Sequence, residues 1–293
     1  MNIRELFLEL TTRTYPSGTE DEIFHLLPEG IIRDFSGNYF IEIGDSQTIF
    51  TSHLDTHGDT VQPINHRFSG DLILSDGNTI LGADDKAGVS LMMYMIHHKV
   101  PGLYYFFRSE EVGCLGSKEI ANEMNLSNWK RIVSFDRRGY NSVVTYQSLV
   151  RTCSDDFANS LAQKLNRHGL EYKLDTQGVS SDSYSFIDNI CECTNLSVGY
   201  QNEHLTKESQ DIRFLDLLAT TLIRIDWEDL PTQRKPRQRE WIGQSQIKPS
   251  DYKPPQKSSK SSNKVSTESK KSKKFSKRLN LFGSSKESGF WTR

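Results

Sequence analysis

Cysteine is scarce in this 293-residue sequence: four residues, Cys114, Cys153, Cys191 and Cys193, with no CxxC pair and no regular framework. That excludes a disulfide-stapled secreted scaffold and fits a reduced, cytoplasmic compartment. Cys191 and Cys193 flank Glu192, but two thiols without a second pair make a poor zinc site, so inert thiols are expected. Long apolar runs are also missing. The opening MNIRELFLELTTRTYPSG carries two early acidic residues and is expected to be neither a signal peptide nor a membrane anchor. No internal repeat is visible. A chain of this length buries a sizeable core without staples, as one large α/β domain or two small ones.

The overall charge of −2 hides an asymmetry. From Leu230 to Arg293 there are 17 Lys and Arg against four Asp and Glu, a net of +13, whereas Met1 to Asp229 carries −15. The basic part is rich in Lys, Ser and Pro and poor in aliphatic residues, so it is expected to be a disordered tail over 230–293. Its extreme end regains Leu279, Leu281, Phe282, Phe290 and Trp291, a short docking motif or simply a sticky end. As a partner surface, the tail offers lysines to a polyanion or an acidic protein patch. A solvated spacer is the plainer reading.

Strand and helix signals alternate over 1–229. Thr19-Glu20-Asp21-Glu22 before Ile23, Leu26 and Leu27 reads as a capping box. FIEI (40–43) and TIFTS (48–52) read as a hairpin across Gly-Asp-Ser. Lys86 to His98 is an apolar helix, and LYYFFRS (103–109) and RIVSF (131–135) are buried strands. Ser154 caps a helix bearing Phe157, Leu161 and Leu165 and ending near Gly169. NLSVGY (195–200) is a strand, and Ser209 is read as the cap of a last helix running to about Ile225. This alternation predicts a three-layer α/β/α fold with a mainly parallel, mixed central sheet.

A metal-type side chain stands at or just beyond each of several apolar runs. His53-Leu54-Asp55 follows TIFTS, Asp84-Asp85 follows ILGA, Glu110-Glu111 follows FFRS, Asp136 follows RIVSF, and His204 follows NLSVGYQNE. Sites in open α/β sheets gather outside the carboxyl ends of strands, so these side chains are placed to converge. Two histidines with three carboxylates suit two divalent ions, Zn²⁺ first, with Co²⁺ or Mn²⁺ as rivals. A bridging carboxylate must offset the repulsion between the ions, and Asp84 is the candidate. Asp55, two residues after His53, is placed to orient that imidazole. In the pair Glu110-Glu111, one carboxylate is free to hold metal while its neighbour handles a proton.

The stretches SHLDT (52–56), LGADDKAG (81–88), EEVGCLGS (110–117), FD (135–136) and SVGYQNEHLTKE (197–208) resemble, in order and spacing, the co-catalytic zinc exopeptidases of peptidase families M20, M28 and M42. The resemblance spans about residues 1–225. It implies His53, Asp84 and Asp136 on one ion, Asp84, Glu111 and His204 on the other, and Glu110 as general base. Asp136 and His204 are 68 residues apart, too few for the inserted lid domain of many M20 members, and SSDSYSF (180–186) also resembles the M28 branch. The implied activity is hydrolysis of a peptide bond by a metal-activated water, with an aminopeptidase favoured by the acidic surroundings. Substrate contacts are assigned to Tyr200 and Arg108 as oxyanion partners and to His57 at the site mouth. An amidohydrolase acting on acyl-amino acids would use the same ligands. A non-catalytic binding domain with a polyanion-binding tail is the alternative outside enzymes, though it has no need of Glu110.

Taken singly, each ligand has an ordinary reading: a surface histidine, a helix cap at Asp84-Asp85, a solvated pair at Glu110-Glu111. Their joint order argues otherwise. His25, His66, His97, His98 and His168 lack partner spacing and are read as structural or exposed.

Overall fold

The runs TIFTS, LYYFFRS and RIVSF are apolar on both alternating sets of positions, as a strand covered on both faces requires. In the computed structural model, which describes residues 1–243, all three are buried strands. The elements in order are α1 (Ile3–Leu10), β1 (Ile32–Arg33), β2 (Tyr39–Ile43), β3 (Thr48–His53), β4 (Arg67–Ser69), β5 (Leu72–Leu74), α2 (Ala83–His97), β6 (Gly102–Phe107), α3 (Leu115–Glu123) and β7 (Arg131–Arg137). They continue with β8 (Ser142–Val144), β9 (Tyr146–Gln147), β10 (Val150–Arg151), α4 (Asp155–Asn166), β11 (Lys173–Asp175), β12 (Glu192–Ser197), β13 (Tyr200–Gln201), β14 (Ser209–Asp211) and α5 (Ile212–Leu222).

The main sheet has the order β1-β2-β6-β3-β7-β12-β8-β11. Its centre, β6-β3-β7-β12, is parallel, and β2 and β8 join it antiparallel. Side chains alternate between two cores, as the period of two dictates. Phe50, Tyr104, Phe106, Val133 and Phe135 pack with residues of α1, α2, α4 and α5. Ile49, Leu103, Tyr105, Phe107 and Ile132 pack with Ile120 of α3 and with Phe186, Ile187 and Ile190. The result is the expected α/β/α fold. Between Asp136 and His204 lie only β8, β11 and β12 of the main sheet, the short β13, the β9-β10 pair, α4 and a short 3-10 turn, so no separate lid domain is inserted there.

α2 is buried on nearly every side, consistent with its lack of a polar face. Gly88 permits its close approach to the sheet: a Cβ there would sit 2.3 Å from the Phe135 carbonyl and 2.5 Å from Ser52 Oγ. α4 is capped by Ser154, whose Oγ accepts from Phe157 N at 3.2 Å.

Several local expectations are corrected. β2 and β3 do not form a hairpin, because β6 lies between them and pairs with both. The supposed capping box opens only a 3-10 turn (Glu20–Leu26); Thr19 donates to Pro16 O, Glu22 pairs with Arg13, and Glu20 turns inward. The last helix is capped by Asp211, which accepts from Phe214 N, while Ser209 lies in β14. It ends at Leu222. The break expected at Asp229 is not where packing stops. Leu230 is buried, and the Arg234 guanidinium donates to the carbonyls of Ile187, Ile190 and Cys191. The tail expected beyond Gly243, with its apolar end, lies outside the described residues. Among the described residues, no helix is long and apolar enough to cross a membrane.

Candidate metal centre

From β3 the chain passes through α2 to β6 on one side of β3, then through α3 to β7 on the other. That reversal opens a crevice at the carboxyl ends of β3, β6 and β7, the place where α/β folds bind ligands. His53 is the last residue of β3 and Asp136 the penultimate residue of β7. Glu110 and Glu111 follow β6, Asp84 begins α2 with non-helical backbone, and His204 stands in the loop after β13.

These side chains meet. His53 Nε2 lies 3.0 Å from Asp84 Oδ1 and 3.8 Å from Asp136 Oδ1. His204 Nε2 lies 3.3 Å from Asp84 Oδ2 and 3.1 Å from Glu111 Oε1. The Asp84 carboxylate thus turns one oxygen to each histidine. The His57 ring stacks on His204 with centroids 4.3 Å apart, and its Nδ1 is 3.5 Å from Glu111 Oε2. Asp55, fully buried, accepts from Glu110 N at 3.0 Å and Glu111 N at 3.1 Å. Its Oδ1 also lies 3.3 Å from His53 Nδ1, which directs the ring's other nitrogen at the cluster.

The electrostatics describe a site short of positive charge. Burial works to lower the His53 pKa, yet hydrogen bonds to Asp55 and Asp84 hold it well above the usual imidazole value. His204 is raised to about 10 by its hydrogen bonds to Asp84 and Glu111. Burial, with the charge of Asp84, pushes Asp136 well up, and burial raises Glu110. The raised imidazoles hold protons that a cation would displace. Glu111 Oε1 is buried, and the His204 ring at 3.1 Å is its close polar contact. His53, Asp84 and Glu111 bring their ligand atoms within 4.8 Å of one another, as do His53, Asp85 and Asp136, and His57, Glu111 and His204. The donor set therefore fits divalent cations.

Two expected substrate contacts stand differently. Tyr200 belongs to the cluster, but its hydroxyl donates to Asp136 Oδ1 at 3.1 Å, so that proton is committed. Arg108 does not join it: its guanidinium turns to Glu20, 3.2 Å away, with Asp21 at 3.8 Å. None of His25, His66, His97, His98 and His168 enters the cluster.

Four supporting residues went unassigned in the sequence. Glu208, fully buried, accepts from the backbone N–H groups of Leu81 and Gly82 at 2.8 Å and of Asp84 at 3.0 Å. Asp85 takes the Ser52 hydroxyl and the N–H groups of His53 and Gly88. Lys86 donates to Leu54 O at 2.6 Å, and burial brings its pKa down to about 8. Cys114 Sγ donates to Glu110 Oε1 at 3.3 Å. All four lie inside the quoted motifs, but nothing local marked their partners.

The cluster opens into a cavity of ≈ 150 Å³ whose walls include Asp84, Glu110, Asp136 and His204 with Arg137, Arg138, Val179 and Glu203. A larger cleft, ≈ 510 Å³, beside Arg151, Arg234 and Glu240 holds none of the cluster, and its arginines are engaged by neighbouring carboxylates and carbonyls.

Residues 38–217, more than half of the chain, match the sequence profile of Peptidase family M28. The chain belongs to this family. Its fold is that of solved peptidase structures. The aminopeptidase PepT from Bacillus cereus ATCC 10987 aligns at 18% identity and a TM-score of 0.62, covering 76% of this chain and 96% of that one. A tripeptidase from Staphylococcus aureus subsp. aureus Mu50 aligns at 19% and 0.60 over the same shares. An aminopeptidase from Desulfurococcus kamchatkensis aligns at 16% and 0.56, covering 78% and 95%. The search of curated proteins returns no match.

Proposed function

We propose that this M28 family member is an aminopeptidase-like exopeptidase that works with two divalent ions, Zn²⁺ foremost. One observation carries the reading: Asp84 presents Oδ1 to His53 and Oδ2 to His204, the geometry of a carboxylate shared between two ligand sets. His53, Asp84 and Asp136 would hold one ion, and Asp84, Glu111 and His204 the other. When bound, such ions polarise a carbonyl and make water more acidic. The rest falls to the chain. Asp55 fixes the ring of His53 and the backbone of Glu110 and Glu111. Cys114 holds Oε1 of Glu110. Glu110, raised by burial, takes a proton from the attacking water and returns it to the leaving amine.

Metal analysis with a substrate panel tests this. The protein should carry close to two ions per chain, lose hydrolysis of aminoacyl substrates to a chelator, and recover it with Zn²⁺, Co²⁺ or Mn²⁺. Full turnover after complete chelation would sink the metal reading. Turnover of acyl-amino acids alone would replace the aminopeptidase with a deacylase.

A further inference from the structure

We infer that His57 is the positioning residue of the outer ion site, the one assigned to Asp84, Glu111 and His204, and that it braces Glu111 and His204 against each other. The inference rests on the two-ion reading and gives His57 a role other than substrate contact.

The two ligand sets differ in what holds them. His53 and Asp136 stand in β3 and β7, whereas Glu111 follows β6 in a loop and His204 lies in the loop after β13. The His204 side chain is 41% exposed, and its backbone adopts a φ of +63°, where non-glycine residues are uncommon. An exposed ring on a loop loses rotamer freedom when it is fixed on a cation. His57 reduces that freedom beforehand. Its ring stacks on His204 with centroids 4.3 Å apart and planes 14° from parallel. Its Nδ1 lies 3.5 Å from Glu111 Oε2, while Glu111 Oε1 lies 3.1 Å from His204 Nε2. One ring thus meets both ligands, His204 through its face and Glu111 through its edge.

The brace stands on a fixed root. Thr56, buried, donates its N–H to Tyr15 O, and its Oγ1 accepts from Tyr15 N, both at 2.8 Å. Tyr15 is itself buried. The lone pairs of an imidazole lie in the ring plane, so two stacked, nearly parallel rings send them side by side rather than to one ion. His57 therefore positions ligands and is not a further one. Groups that orient a metal ligand in this way typically account for 10- to 100-fold of metal affinity.

The test titrates the chelated wild type, His57→Ala and His57→Phe with Zn²⁺ against a chromophoric chelator. The wild type should take up two ions. His57→Ala should weaken one of them about 10- to 100-fold and leave the other ion, and the melting temperature of the chelated protein, unchanged. His57→Phe keeps a ring over His204 without the nitrogen facing Glu111, and should recover part of the loss. Wild-type affinity for both ions in His57→Ala overturns the brace. Equal weakening of both ions also overturns it, because that marks general damage to the fold. A raised KM with both ions retained returns His57 to substrate contact and overturns it too. A wild type that binds fewer than two ions overturns the two-ion reading, and this assignment with it.

Discussion

Replacing Asp55 with Asn removes one charge from a fully buried position while keeping its shape. The native carboxylate accepts from Glu110 N and Glu111 N, and its Oδ1 lies 3.3 Å from the His53 ring at Nδ1, which the Asp55 carbonyl also meets at 3.1 Å. Burial works to raise the Asp55 pKa, but the His53 hydrogen bond, its charge and the two backbone N–H groups hold it below the usual range, so these groups meet an anion. An amide offers one acceptor oxygen, and its NH₂ must then face a donor. Leaving one buried N–H unmatched costs about 1–3 kcal/mol. Loss of the carboxylate behind a ligating histidine lowers metal affinity typically 10- to 100-fold, and each tenfold is about 1.4 kcal/mol. Asp55→Asn should therefore destabilise the chelated protein by about 1–3 kcal/mol, with a further loss only in the metal-loaded form. Urea unfolding with and without chelator, beside a competition titration for metal, separates the two terms. Wild-type stability and wild-type metal affinity in this variant would refute the argument that Asp55 fixes the site.

Glu110→Gln should lower the rate about 10²–10⁴-fold while keeping both metals, as loss of a general base does; Glu111→Gln should weaken one metal, and the opposite pattern would exchange their roles. Asp182 is buried with Oδ1 unpartnered, and burial together with the charge of Glu110 lifts its pKa to about 8. Between about pH 4, where an unfolded aspartate ionises, and that value, folding takes up a proton. The stability of the chelated protein should accordingly fall as pH rises through this window, and Asp182→Asn should flatten the slope. Removing residues 244–293 should leave turnover of small substrates unchanged. Removing 230–293 should instead lower the melting temperature, because it exposes the Leu230 site, worth about 1.5–3 kcal/mol, and strips Arg234 from three carbonyls.

The convergence of His53, Asp84, Glu111, Asp136 and His204 was legible because most of them follow a strongly apolar strand, and strand ends in a parallel sheet share one edge. The three-layer fold followed from the same alternation. Strand order was not legible. The Gly-Asp-Ser turn between β2 and β3 reads locally as a hairpin, and only tertiary pairing shows β6 inserted between them. Asp211 rather than Ser209 caps α5 because pairing with β5 keeps the chain extended through β14 and the helix opens only at Ile212, a long-range pairing that no local signal announces. The segment 230–243 looked like tail because Arg234 docks through hydrogen bonds to carbonyls, which leave no hydrophobic pattern. Glu208 acts on backbone groups 124–127 residues away, and a lone cysteine four residues after Glu110 marks nothing by itself, so their roles had no signature.

The loop that carries His204 also carries Glu208, and Glu208 holds the backbone at Leu81, Gly82 and Asp84. The loop is thus a clasp closed over the Asp84 segment from the other end of the chain. Opening it releases His204 and frees the amide of Asp84 in one event, while β3, β6 and β7 stay intact. Local opening in proteins proceeds by such contiguous units at less than the global cost. On the proposed two-ion reading, an ion held by Asp84, Glu111 and His204 would exchange by this route while His53 and Asp136 stay in place on the sheet.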